Sequence, residues 1–149
     1  MLTRRQLGIG LLAFAAPVRG AIAGEKSVLT VYRTPTCGCC KAWGSHLARA
    51  GLSTTIIELN DLAPTKRRAG VPDAYEACHT GLIDGYFVEG HVPAGDIRRL
   101  LAERPTARGL VVPGMPVGSP GMEVAGVKPE PFQTLLIATN GSASIFANH

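Results

Sequence analysis

The segment Thr34-Pro35-Thr36-Cys37-Gly38-Cys39-Cys40 gathers three of the chain's four cysteines at one point between two runs of different periodicity. Ser27 to Tyr32, just before it, is short and carries the β-branched and aromatic residues of a strand. After it, Cys40, Trp43, Leu47 and Ala50 recur at helical spacing, and Gly51 ends the stripe. Strand, turn and helix in that order set Cys37, Cys39 and Cys40 at a helix N-terminus, where unpaired N–H groups and the helix dipole favour negative charge. A thiol ionises more readily there, and only the thiolate attacks a disulfide or binds a metal. Two chemistries follow: a Cys37/Cys40 redox pair, or a soft-metal site.

Residues 1–23 read as a leader rather than as part of the fold. Arg4 and Arg5 precede an apolar run from Leu7 to Val18, and Ala21-Ile22-Ala23 has the small-x-small pattern of a cleavage site. The arginine pair fits a twin-arginine signal as well as an ordinary secretory one. The apolar run falls short of the roughly 20 residues that span a bilayer. An exported, periplasmic protein with no membrane span in its mature chain is therefore expected. Without the leader, fifteen Lys and Arg residues fall to twelve against eleven Asp and Glu. The basic balance thus belongs to the leader and argues neither for nucleic acid nor for an anionic membrane. The remainder is one domain's worth of chain.

Ser53 to Leu59 reads as a second strand, parallel to the first across the intervening helix. Asn60 or Asp61 caps a short helix through Arg68, ended by Gly70 and Pro72. His79 to Ile83 and Tyr86 to Glu89 form a hairpin on Asp84-Gly85, and Pro93 and Asp96 open a helix through Glu103. The expected fold is α/β, in the order β-α-β-α-β-β-α over 24–107. Over 108–149 an irregular Gly/Pro-rich loop and a C-terminal hairpin around Asn140-Gly141 are expected to pack on the same domain. That order, with cysteines after the first strand, resembles thioredoxin. In thioredoxin-like folds a cis-proline before the third strand lies against the redox cysteines; here Cys78 and His79 stand at that position, and the nearest proline is Pro72. Cys78 would then face the Cys37 to Cys40 cluster. Four converging thiolates serve a thiophilic metal better than a dithiol enzyme.

Thr36-Cys37-Gly38-Cys39-Cys40, Cys78-His79-Thr80, Asp84-Gly85-Tyr86, Glu89-Gly90-His91-Val92-Pro93 and the run from Gly114 to Glu123 together resemble the CopG-like family of periplasmic copper-resistance proteins, over roughly residues 27–124. The resemblance implies a thioredoxin-like domain and copper bound by Cys37, Cys39, Cys40 and Cys78, with copper ions and other periplasmic copper-handling proteins as partners. Crowded thiolates suit Cu(I), as a single ion or as a small multinuclear cluster bridged by sulfur. Zinc is an alternative, although structural zinc commonly uses two separated Cys pairs. Disulfides are another: Cys37–Cys40 and Cys39–Cys78 are both conceivable in an exported chain. The second functional reading is a periplasmic thiol–disulfide oxidoreductase using Cys37 and Cys40. Catalytic turnover, on copper or on thiols, stays open.

Four further residues are lower-rank ligand candidates. His79 follows Cys78 and, if both are extended, points to the opposite side of the strand. His91, between a strand and a helix, fits either a cap or a contact to the site. Met115 and Met122, in the loop from Val111 to Glu123, carry thioethers that reach Cu(I) without deprotonation, or else fill gaps in the core. His46 lies about 10 Å along the helix from Cys39 and reads as a surface residue. His149, the last residue, reads as a loose end.

Overall fold

Alternation decides the first strand: in β1 (Val28–Arg33), Leu29 and Val31 are fully buried while their neighbours are partly exposed. The computed structural model describes residues 27–149, so the leader expected over 1–23 lies outside the described residues. From β1 a turn leads into α1 (Gly38–Arg49), whose buried stripe is Cys40, Trp43 and Leu47. β2 (Ser53–Glu58) returns parallel to β1. Asp61 accepts a hydrogen bond from the Ala63 amide at the start of α2 (Ala63–Ala69), although the capping position itself is Leu62.

A short 3-10 turn at Asp73–Tyr75 precedes β3 (His79–Ile83), which pairs antiparallel with β1 and with β4 (Tyr86–Glu89). The hairpin's two turn residues, Asp84 and Gly85, have φ of 48° and 86°. Positive φ at both positions is what an Asp-Gly turn between two twisted strands supplies. α3 (Ala94–Glu103) then crosses to β5 (Ala107–Val111), parallel to β4, and β6 (Gln133–Ala138) and β7 (Ala143–Asn148) follow antiparallel. The result is one seven-stranded sheet in the order β2-β1-β3-β4-β5-β6-β7.

Helices cover both faces of the strands nearest the cysteines. Trp43 and Leu47 from α1 and Ile97 and Leu100 from α3 pack with Leu29, Val31 and Val88. Across the sheet, Val71 just after α2 packs with Phe87, Val111 and Ile137. Both faces of β4 are therefore buried, which is why all four of its residues, Glu89 included, lie in the interior. No helix among the described residues is long and apolar enough to cross a membrane.

The mixed α/β architecture and the element order through α3 agree with the sequence reading. β5 does not: Arg108 and Gly109 interrupt its apolar run, and it straddles the 107/108 division. The glycine is what the strand needs there, because a Cβ on Gly109 would lie 2.0 Å from the Phe87 carbonyl oxygen on β4. β6 and β7 extend the same sheet beyond β5, so the C-terminal hairpin adds strands to it instead of only packing on it.

Candidate metal centre

Cys37 occupies the N-cap of α1, and its sulfur accepts from the Cys40 amide at 3.3 Å. No acidic residue sits in the first turn, so the helix end carries only sulfur against its free amides. Arg33, the last residue of β1, ties the turn down. Its Nη1 donates to the carbonyls of Thr34 at 3.2 Å and Pro35 at 3.4 Å, and its Nη2 pairs with Glu58 at 2.5 Å. An arginine at the end of a strand carries no motif of its own, so this role of Arg33 is not legible in the sequence.

Cys37 and Cys40 are joined in a disulfide, with Cα atoms 5.4 Å apart. Cys39 and Cys78 are free thiols, their sulfurs 3.8 Å apart, so the second conceivable bridge is not formed. Cys39 Sγ also lies 3.5 Å from Cys37 Sγ, and Cys40 Sγ lies 3.7 Å from the Cys78 carbonyl oxygen. All four sulfurs fall within 4.8 Å of one another. Cys78 reaches them from a different segment, immediately before β3, as its position in the sequence led us to expect.

Cys78, His79 and His91 form an overlapping second group, again within 4.8 Å. Cys78 Sγ is 3.3 Å from His79 Nδ1 and 3.5 Å from His91 Nε2. The expectation that His79 points away from Cys78 is thus corrected. Strict alternation does not apply, because Cys78 precedes the first residue of β3. His79 is fully buried and packs against Trp43, the rings tilted with their centroids 4.2 Å apart, and its Nε2 has no hydrogen-bond partner. Burial, then the neighbouring His91 and Lys66, push the His79 imidazole down to about 3, so the ring is a neutral nitrogen donor at neutral pH. Burial also lowers His91. The Pro120 carbonyl can only accept, so the 2.8 Å contact to His91 Nδ1 means that this nitrogen carries the proton. The bare Nε2 then faces Cys78. The Cys78 thiol itself is pushed up to about 12 by burial and by its Cys39 neighbour, so it keeps its proton until something displaces it.

The loop from Val111 to Glu123 covers this group. Gly121 lies against the first turns of α1 with φ of 87°, and a Cβ there would meet Trp43 N at 2.7 Å and Cys39 O at 2.8 Å. Met115, on the same loop, is 54% exposed, and Met122 is half-buried. His46 is half-buried and is not free at the surface: its Nε2 accepts from the Ala94 amide at 3.2 Å, capping α3, and burial lowers its pKa. His149 is not loose either. Its ring stacks on Phe132 at 4.6 Å, and its Nε2 lies 3.0 Å from Asp96 Oδ2. On the other side of Cys78, the buried Glu89 bonds the Ala77 amide at 2.6 Å and pairs with Lys66. Burial raises the Glu89 carboxyl against the pull of that ammonium.

Two solved structures match this geometry over nearly their whole length. One, described as copper resistance protein CopG, form 2, is 46% identical with a TM-score of 0.79, covering 84% of this chain and 99% of its own. Form 1 of the same protein is 46% identical with a TM-score of 0.78, covering 84% and 98%. This chain belongs to the CopG family. Residues 75–122, which hold Cys78, both candidate histidines and both loop methionines, also match the family described as "Protein of unknown function, DUF411". No curated protein matches the chain.

Proposed function

We propose that this protein is an exported copper-binding protein that holds Cu(I) through the thiolates of Cys37, Cys39, Cys40 and Cys78, in copper resistance or homeostasis. The observation that carries the reading is the convergence of four sulfur atoms, from two chain segments, within 4.8 Å of one another. The donor set suits the ion: thiolate sulfur is soft, neutral imidazole also binds copper, and a thiolate can bridge two ions into a small cluster. His79 and His91 supply the nearest nitrogens, and Met122 and Met115 are second-rank donors on the covering loop. The orphaned Nε2 of His79 belongs to the same picture of a donor-rich, incompletely satisfied site.

In this reading the Cys37–Cys40 disulfide is the oxidised form of the site. Two electrons and two protons from a dithiol donor open it to two thiols, the donor leaving as its own disulfide, and the four-sulfur set is complete. Oxidation withdraws two of the four ligands, so copper retention follows redox state. The parallel β1-α1-β2 unit beside the β3–β4 hairpin fits a thioredoxin-like domain, and the leader over 1–23 fits export to the periplasm, where other copper-handling proteins are the natural partners.

The test is a titration of the reduced, metal-free protein with Cu(I) against a chelator, with sulfur-to-copper charge-transfer absorption as the signature and Zn(II) as competitor. Cu(I) should be held against equal zinc. Displacement by zinc at equal concentration would make the soft-metal assignment wrong. A second reading, a thiol–disulfide oxidoreductase, is favoured by the disulfide itself, with a part-exposed N-capping Cys37 and a buried Cys40. It requires neither Cys39 nor Cys78.

A further inference from the structure

Lys66 and Glu89 form an ion pair inside the protein, beside the sulfur cluster. Glu89 is fully buried and Lys66 is 4% exposed. Taking two charges out of water carries a large desolvation penalty, and an apolar pair of similar volume often stabilises a core as well or better. Stability alone therefore does not explain the pair. Its hydrogen bonds suggest a different use. Glu89 Oε1 accepts from Lys66 Nζ and from the Ala77 amide, while Oε2 accepts from the Thr80 hydroxyl at 2.7 Å. Thr80 Oγ1 in turn accepts from Lys66 Nζ at 3.0 Å. Side chains of α2, β3 and β4 thus close on the peptide just before Cys78.

That peptide lies beyond the regular sheet. The β3–β4 ladder runs from Ile83↔Tyr86 to Thr80↔Glu89, with one further bond from Gly90 N to His79 O. The Ala77 amide is bonded by the carboxylate, not by a neighbouring strand. We propose that Glu89, oriented by Lys66 and Thr80, is a positioning residue for Cys78: its carboxylate fixes the Ala77 amide and thereby holds the Cys78 sulfur against Cys39, His79 and His91. The consequence for copper rests on the copper-binding reading above; the positioning does not.

Two double variants test it, because Glu89→Gln alone would strand a buried ammonium. Lys66→Met with Glu89→Leu removes both charges and the acceptor for Ala77. Lys66→Met with Glu89→Gln also removes both charges but keeps an oxygen for Ala77, while the new amide nitrogen faces Thr80 Oγ1, which has lost its Lys66 donor. In the reduced, metal-free protein, hydrogen exchange at the Ala77 amide and alkylation of Cys78 should be roughly tenfold faster in the Leu variant and near wild type in the Gln variant. Cu(I) affinity by chelator competition should fall about 10- to 100-fold in the Leu variant and recover in the Gln variant. Equal behaviour of the two doubles, or a folded Leu variant that exchanges and alkylates like wild type, overturns the proposal. If the Leu variant does not fold, Thr80→Val, which frees Oε2 and keeps the ion pair, replaces it: faster Ala77 exchange supports the proposal and unchanged exchange overturns it. A response of the metal-free readouts without a change in copper affinity upholds the positioning and sinks the assignment of Cys78 as a ligand.

Discussion

Gly121→Ala tests whether the covering loop orders the site. At φ of 87°, with Trp43 N at 2.7 Å and Cys39 O at 2.8 Å from the new Cβ, the substitution meets strain and contact together. Both contacts are backbone atoms of α1, so no side chain can turn aside to relieve them. An L-residue in a left-handed conformation costs about 1–2 kcal/mol. The loop escapes the contacts by lifting off α1, and it carries Pro120 with it. The bond from His91 Nδ1 to the Pro120 carbonyl, 2.8 Å long, is then lost, at about 1 kcal/mol. The sum is about 2–3 kcal/mol, which at roughly 4 °C per kcal/mol for a domain of this size lowers Tm by about 8–12 °C. Thermal unfolding of the metal-free protein measures the first part. The second is a copper affinity about tenfold weaker, since His91 no longer presents a fixed bare Nε2. A variant that melts within about 3 °C of wild type and binds copper equally well would refute the loop's role.

Acid should destabilise the metal-free protein. A folded His79 held at about 3 refuses a proton that an unfolded histidine takes near 6.5. Its stabilising effect is therefore present above about pH 6.5 and lost as pH falls toward 3, at up to about 1.4 kcal/mol per pH unit. Denaturant titrations between pH 7 and 5 should show this slope, and His79→Gln should reduce it without abolishing it, because burial lowers His91 and His46 as well. Copper loading should run the other way with protons. The Cys78 thiol, pushed up to about 12, must release its proton to bind, so apparent Cu(I) affinity should rise about tenfold per pH unit for each proton displaced. A pH-independent affinity from pH 6 to 8 would mean that no thiol proton is released. Insulin reduction by the metal-free protein should be slow beside a thioredoxin-like enzyme, because Cys78 already crowds the cysteines that a substrate peptide would have to reach. Comparable rates that survive Cys39→Ser and Cys78→Ser would favour the oxidoreductase.

The strand, turn and helix around Cys37 are legible because alternation and helical spacing meet at one short segment, and Asp84-Gly85 marks its hairpin for the same local reason. The approach of Cys78 to the cluster is legible only through the order of elements, since nothing near residue 78 announces a partner 39 positions away. What the sequence conceals is contact across the fold. Arg108 and Gly109 hide β5 because the close approach to Phe87 asks for glycine where propensity asks for a β-branched residue. His46 and His149 look solvated when read along their own segments, and they gain partners only when α3 and β6 come alongside. Glu89 ends an otherwise apolar strand, and only the folded chain brings Lys66 and the Ala77 amide to it.

The central claim is that Cys78 completes a site with the three cysteines of α1. It is tested most directly by Cu(I) stoichiometry and affinity of the reduced Cys78→Ser protein, measured by chelator competition beside wild type with circular dichroism as the check on folding. A folded variant that loses copper or binds it far more weakly is the result expected. Unchanged copper binding in a folded Cys78→Ser protein would contradict it.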